Sequence, residues 1–350
     1  MHPRLNIDGI KIGIDCPVFI IAEAGVNHNG DLELAKQLIS KAKECGADCI
    51  KFQTFRADKI VIPDAPKAKY QQVNTGVVES QFDMLKKLEM PSSWYPVLVE
   101  ECRRAGLVFL STPYDLSDIE FLERFDVPAY KVASALAVEP FFLEKLAKTG
   151  KPILLSTGMC SLAEVEEAVQ TLRNAGNDQI VVLQCTTNYP SRNEDCNLRA
   201  MQRMGQGLDV LVGYSDHTQG CIAATLSVGL GACVVERHFS LDKRLPGPDH
   251  SSSSDPEELA LLVNMIREAE KVLGSGHKSP CKAELDNREA MRRSIVAACD
   301  IESGTVLDEK HIAFKRPALG ISPKHFPHIL GRKATSDIHE DSFIYFRFLV

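Results

Sequence analysis

The chain has 350 residues, enough to bury a full core in one large domain and leave room for a small second one. A formal net charge of −7 argues against a broad nucleic-acid footprint but allows a local basic pocket for a small anion. No run approaches the ~20 apolar residues of a membrane span, and "MHPRLNIDGIKIGID" lacks the apolar core of a signal peptide, so a cytoplasmic address is expected. Eleven cysteines (16, 45, 49, 102, 160, 185, 196, 221, 233, 281, 299) form no CxxC pair and read as reduced thiols in a core.

Short β-branched runs recur along the chain with helical patterns between them. They are "VFIIAEAG" from Val18, "CIKFQTF" from Cys49, "LVFLSTP" from Leu107 and "AYKVAS" from Ala129. "PILLSTG" follows from Pro152, "IVVLQCTT" from Ile180, "VLVGYSD" from Val210 and "CVVERHF" from Cys233. The first intervening helix, "DLELAKQLISKAKECG", puts Leu34, Leu38, Ala42 and Cys45 on one face, with Asp31 to cap it and Gly46 to end it. The runs are almost continuously apolar, as in a parallel sheet covered by helices. Eight such units predict a (β/α)8 barrel. Residues 55–81 are unusually long for a connection and show no periodicity, which marks a functional loop at the barrel mouth. A helix is predicted over 255–274, with Asp255 as its cap and Pro256 at its first position. The expected domains are a barrel over 1–280, a linker over 281–292 and a β-rich module over 293–350.

In a barrel, chemistry collects where strands run into the loops that lead to helices. Those ends carry Glu23, Lys51, Thr112, Lys131 with Ser134, Ser156, the turn from Thr186 to Tyr189, Ser215 with His217, and His238. A single strand-end Ser or Thr is usually a cap or turn residue. A lysine inside an apolar strand is harder to dismiss, because its desolvation needs an anion. Lys51 and Lys131, ringed by hydroxyls, therefore suggest a phosphate or carboxylate cradle. His217 and His238, on neighbouring strand ends, suggest an open site for Mn²⁺, Zn²⁺ or Fe²⁺, with Asp216 and Asp249 as supporting carboxylates. His28 reads as a loop residue. There is no GxGxxG, GxxxxGK[ST] or GxSxG, which argues against nucleotide binding and serine hydrolysis.

"FIIAEAGVNHNGDLELAKQLISKAKECGADCIKFQTF", "LSTPYD", "YKVAS", "LSTGM", "QCTTNYPSRNEDCNL", "GYSDHT", "ERHFSLDK" and "PGPDHSSS" together resemble the sialic acid synthase family. The resemblance runs from about residue 17 to the end and includes a C-terminal module similar to the family's antifreeze-like (SAF, β-clip) domain. It implies condensation of phosphoenolpyruvate with an N-acetylated hexose and water, giving a nine-carbon 2-keto sugar acid and phosphate. N-acetylneuraminate from N-acetylmannosamine is the first expectation, and legionaminate or another nonulosonate from a 2,4-diacetamido-2,4,6-trideoxymannose is the alternative. The resemblance further implies Mn²⁺ on His217 and His238, and phosphoenolpyruvate on Lys51, Thr112, Lys131, Ser134, Ser156, Tyr189 and Ser215. Glu23 matches the family's catalytic glutamate, and Asn74 and Asp249 match sugar-site residues. Arg316 matches an arginine that reaches the partner's substrate in a domain-swapped homodimer. One position departs: where the family pattern runs Ser, a small residue, then Glu or Asp, this chain has Ser134, Ala135, Leu136. Two other classes stand beside this reading. A metal-dependent barrel hydrolase or isomerase would need no anion-binding lysines, and a carbohydrate- or ice-binding protein would need no complete set of polar strand ends.

Overall fold

The computed structural model describes residues 4–350, which divide into two compact units, one ending at Gly274 and the other spanning Ser275–Val350. The first unit opens with a hairpin, β1 (Leu5–Ile7) and β2 (Ile10–Ile12). Its turn is Asp8-Gly9 with φ of 50° and 82°, the two positive values that a tight two-residue hairpin requires. Eight strands follow: β3 (Phe19–Gly25), β4 (Cys49–Thr54), β5 (Val108–Pro113), β6 (Tyr130–Val132), β7 (Ile153–Ser156), β8 (Ile180–Cys185), β9 (Leu211–Asp216) and β10 (Val234–His238). They pair in parallel in the order β5-β4-β3-β10-β9-β8-β7-β6, and β5 and β6 lie side by side without a ladder. The sheet is a nearly closed eight-stranded barrel, as the eight βα repeats predict.

Helices form where the sequence supplies caps. Asp31 accepts from the Glu33 and Leu34 amides at the start of Leu32–Glu44, and Asp255 with Glu258 forms a capping box for Pro256–Leu273. Alternation along each strand then sorts side chains into two layers. Ile20, Ile50, Phe109, Tyr130, Ile153, Val182, Val212 and Val235 face out against the helices. Phe19, Ile21, Cys49, Val108, Leu110, Leu154, Val181, Leu211 and Val234 face in, and Leu5, Ile7 and Ile12 of the hairpin join them. The hairpin therefore plugs the end of the barrel where the strands begin.

The long connection after β4 holds three short helices, Ala57–Ile60, Lys69–Thr75 and Gln81–Lys86, each too short to show a period. The second unit has its own core around Ile295, Ile301, Leu307, Ile338 and Ile344, with the antiparallel pair β11 (Ser294–Ala297) and β12 (Ile312–Lys315). The stretch expected as a linker contains a helix. Lys282–Met291 is a helix in which Glu284 reaches back to the Cys281 amide. The thiols are all free and seven are buried, but Cys281 and Cys299 are exposed rather than in a core. Among the described residues no helix is long and apolar enough to cross a membrane.

Candidate active site

The same alternation that puts Ile21, Cys49 and Val234 in the barrel core aims the last inward residues of each strand at the mouth. These are Glu23, Lys51 and Gln53, Thr112, Lys131, Ser156, Cys185, Ser215, then Glu236 and His238. They line a cavity of about 370 Å³ together with Ser134, Tyr189 and His217. Lys51 Nζ lies 2.5 Å from Glu23 Oε2, donates to Thr112 Oγ1 at 2.8 Å and stands 3.9 Å from Glu236 Oε2. Lys131 Nζ is 3.6 Å from Glu236 Oε1, which also accepts from Ser215 Oγ at 2.9 Å. Gln53 Nε2 donates to the other oxygen of Glu23 at 3.0 Å.

Two expectations change at this point. The lysines have counter-charges within the protein, so their burial does not by itself require an external anion. Glu236 supplies much of that charge and was not among the sequence candidates. Its position two residues before His238, on the same face of a strand, was the signal that could have found it.

The two carboxylates differ in state. Burial lifts Glu23 above the ordinary carboxylate range, against the pull of Lys51. Burial opposes ionisation of Glu236 too, but Lys131, Lys51 and the Ser215 hydroxyl hold it down at about 2. Paired acids pushed apart in this way divide the labour, one able to carry a proton and the other staying charged. Lys131 is the less satisfied lysine. Burial lowers its pKa, and Glu236 and the Val132 carbonyl at 3.3 Å are its polar neighbours. Beside it, Ser156 Oγ is buried without a partner. Ser134 Oγ accepts from the Gly158 amide at 2.9 Å, an approach that any side chain at Gly158 would block by colliding with Ser134 and Thr187.

His217 and His238 stand at the rim with ring centroids 5.3 Å apart, and Tyr189 packs on both at 4.2 and 5.4 Å. His217 Nδ1–H donates to the Thr186 carbonyl at 2.8 Å, which leaves Nε2 as its free lone pair. Burial and the neighbouring His217 keep His238 neutral, and its Nδ1 has no partner. One oxygen of Glu236 also lacks a hydrogen bond, whereas both oxygens of Glu23 are engaged, by Lys51 and Gln53. Burial opposes charge on His217 while Cys185 and the Thr186 carbonyl favour it, and its Nε2, the unpartnered Nδ1 of His238 and the free Glu236 oxygen are donor types suited to a divalent cation. Among the described residues no group of three or more His, Cys, Asp or Glu stands close enough together to hold a metal ion, so the protein would offer the two histidines and at most a single carboxylate. A cation here would keep positions open for small ligands.

A second cavity of about 850 Å³ shares Tyr189 and His238 with the first and opens above it. Phe55, Ile60, Met84, Leu85, Leu136, Val138 and Phe142 give it an apolar wall, and Asp115, Glu139 and Asp249 give it carboxyls. Burial raises Asp249 to about 6. Asn74 donates to the Pro248 carbonyl at 2.7 Å and does not line either cavity. Tyr70, on the same short helix, packs at a tilt against Tyr189 with ring centroids 5.0 Å apart. Asp216 is corrected: it points out of the barrel and pairs with Arg237, because it alternates with Ser215 and His217. His28 is fully buried against Phe52 and Trp94, away from both cavities. Arg316 is exposed in the second unit, directly after β12.

Residues 38–278 match the NeuB family and residues 292–350 match the SAF domain. The chain is 44% identical to the N,N'-diacetyllegionaminic acid synthase of Legionella pneumophila, over 97% of this chain and 96% of that one. It is 43% identical to the Campylobacter jejuni enzyme of the same name, over 93% and 98%. The crystal structure of N-acetylneuraminic acid synthetase from Leptospira borgpetersenii superposes with a TM-score of 0.72 at 32% identity, covering 82% of this chain and 95% of that one. With its barrel, its ring of charged strand ends and its C-terminal module, this chain belongs to the NeuB family and carries a SAF domain.

Proposed function

We propose that the chain is a nonulosonate synthase that joins phosphoenolpyruvate to an N-acetylated amino sugar. The observation that carries this is the ring of Lys51, Lys131, Glu23 and Glu236 beneath two facing histidines, with a roomy cavity above. In the reaction, C3 of phosphoenolpyruvate attacks the sugar aldehyde carbon and the carbonyl oxygen takes a proton. Water adds at C2, and the C2–O bond breaks with its electron pair leaving on phosphate. Loss of the hydroxyl proton completes the 2-keto acid.

The chain's residues serve these steps by position and charge. Lys131, Lys51 and the free Ser156 hydroxyl hold the phosphate and carboxylate in register, with Thr112, Ser134 and Ser215 around them. Glu23, fixed by Gln53 and Lys51 and lifted by burial, is placed to move a proton. Glu236 stays ionised and faces the positive charge that develops at C2. Tyr70 packs on Tyr189, which lies against both histidines. A divalent cation on His217 and His238, Mn²⁺ in our reading, would supply Lewis-acid polarisation of the acceptor carbonyl.

For the acceptor, the apolar wall favours a 6-deoxy sugar of the 2,4-diacetamido-2,4,6-trideoxymannose type, its methyl group against Leu136. The names of the relatives at 44% and 43% identity agree with this. N-acetylmannosamine, the first expectation from the sequence, remains the second reading, supported by the Leptospira structure. We also propose a domain-swapped homodimer in which Arg316 reaches the partner's sugar site. Mixing Arg316→Ala with Glu23→Ala chains should then restore turnover in a verified heterodimer, and none would appear if each site is built from one chain. The function itself is tested by phosphate release from phosphoenolpyruvate with Mn²⁺ and each acceptor in parallel. Release coupled to a nine-carbon keto acid, fastest with the diacetamido sugar, is expected. No release with any acceptor would refute the proposal.

A further inference from the structure

On β9 and β10 the residue before each histidine is charged and faces away from the cavity. Asp216 precedes His217 and Arg237 precedes His238, and the two are lateral neighbours in the parallel register. They form a buried ion pair, 0% and 4% exposed, within an otherwise apolar outer layer of Val212, Tyr214, Val235 and Phe239. Apolar residues of similar volume would serve stability there at least as well, since desolvation cancels much of a buried pair's attraction.

The pair's partners point to another role. Asp216 Oδ1 accepts from both the amide and the hydroxyl of Thr218, at 2.9 and 2.8 Å, on the far side of His217. Arg237 Nε donates to Ser254 Oγ at 3.0 Å, and the Ser254 amide donates to the His238 carbonyl at 2.8 Å. The His217 carbonyl is held in turn by the Ser191 amide at 2.8 Å. Each histidine backbone is thus flanked by groups tied to the same ion pair. A slip of one residue on either strand would turn its histidine to the outer face.

We propose that Asp216 and Arg237, with Thr218 and Ser254, form a strut that sets the spacing of the two histidines and so tunes cation affinity. They are positioning residues. This rests on reading the histidines as cation ligands, and the test separates the two ideas. Free Mn²⁺ is followed by electron paramagnetic resonance during titration of full-length wild type, His217→Ala, Asp216→Asn, Thr218→Val and Ser254→Ala. Melting temperature and the Mn²⁺ dependence of turnover are measured on the same samples. Asp216→Asn should weaken Mn²⁺ binding about tenfold to a hundredfold, as loss of groups that orient metal ligands does. Its turnover at saturating Mn²⁺ should recover to within about threefold of wild type, so that the defect lies in metal affinity. If Asp216→Asn does not fold, Thr218→Val and Ser254→Ala decide, each keeping the ion pair and weakening binding by at least about threefold. Folded variants with lowered melting temperature but wild-type Mn²⁺ affinity would overturn the strut. Equal Mn²⁺ binding by wild type and His217→Ala would overturn the histidine reading, and the strut with it.

Discussion

Where the barrel strands begin, Phe19, Ile21, Cys49, Val108, Leu154 and Leu211 face inward and Leu5, Ile7 and Ile12 seal them from below. A few residues further along the same strands, the inward positions hold Glu23, Lys51, Thr112, Ser156 and Ser215. Backbone, period and burial are shared by the two ends, and the chemistry is opposite. Burial at the lower end is favourable for every side chain, about 25 cal/mol per Å² of apolar surface. Burial at the upper end costs energy and is partly offset by a chain of mutual partners, Glu23–Lys51–Glu236–Lys131. The lower end holds the barrel together, and the upper end uses that rigidity to keep charges where solvent would scatter them.

Substitutions should separate the two ends. His217→Ala or His238→Ala should lower phosphate release by at least about a thousandfold, the loss expected when charge stabilisation in the transition state is removed. Their melting temperatures should stay close to wild type. Removal of divalent ions with EDTA should have the same effect, reversed by Mn²⁺. Glu236→Gln should cost about a hundredfold or more in turnover, because it leaves two ammonium groups without their shared carboxylate. An isosteric Gln that turns over normally would mean that Glu236 is structural.

At the lower end, Ile7→Ala should cost about 2–5 kcal/mol of stability, read by urea unfolding, with turnover of the folded fraction nearly unchanged. A large loss of activity there would show that the plug and the site are coupled.

A pH signature is also expected from a buried histidine outside both cavities. Burial lowers His28 to about 4, whereas an unfolded histidine titrates near 6.5. Between those values the unfolded chain binds more protons, so stability rises with pH. The contribution, about 3 kcal/mol, is complete above about pH 6.5 and is lost as pH falls through about 4. His28→Phe should flatten that acid limb in melting-temperature profiles, and an unchanged limb would assign the loss to other groups. The smallest effect is expected at Leu136. Leu136→Glu should shift sugar preference by about tenfold or less. The Michaelis constant for phosphoenolpyruvate should stay near wild type, because Lys131 and Ser156 lie in the other cavity. A rise in that constant with sugar kinetics untouched would place Leu136 at the wrong end of the site.

Much of this was legible in the chain itself. Eight apolar runs with helical spacing identify the barrel, and polar residues at their ends mark its working face. What escaped depended on which way residues point and on short elements. Asp216 precedes His217 in the chain, but adjacent strand residues face opposite ways, so it cannot share the histidine's ligand sphere. Glu236 is hidden inside an apolar run, though it shares the face of His238. The opening hairpin is two three-residue strands around Asp8-Gly9, too short for periodicity to show. The three helices of the long connection are brief for the same reason, and tertiary contacts such as Asn74 with Pro248 and Tyr70 with Tyr189 hold them in place.

The central claim is that the charged ring and the histidine pair serve carbon–carbon bond formation, with water entering at C2 and not at phosphorus. Turnover in H₂¹⁸O tests it most directly. Released phosphate should carry no ¹⁸O and appear together with a nine-carbon keto acid. Phosphate labelled with ¹⁸O and accompanied by pyruvate would mean P–O cleavage by a metal-dependent hydrolase, and would contradict it.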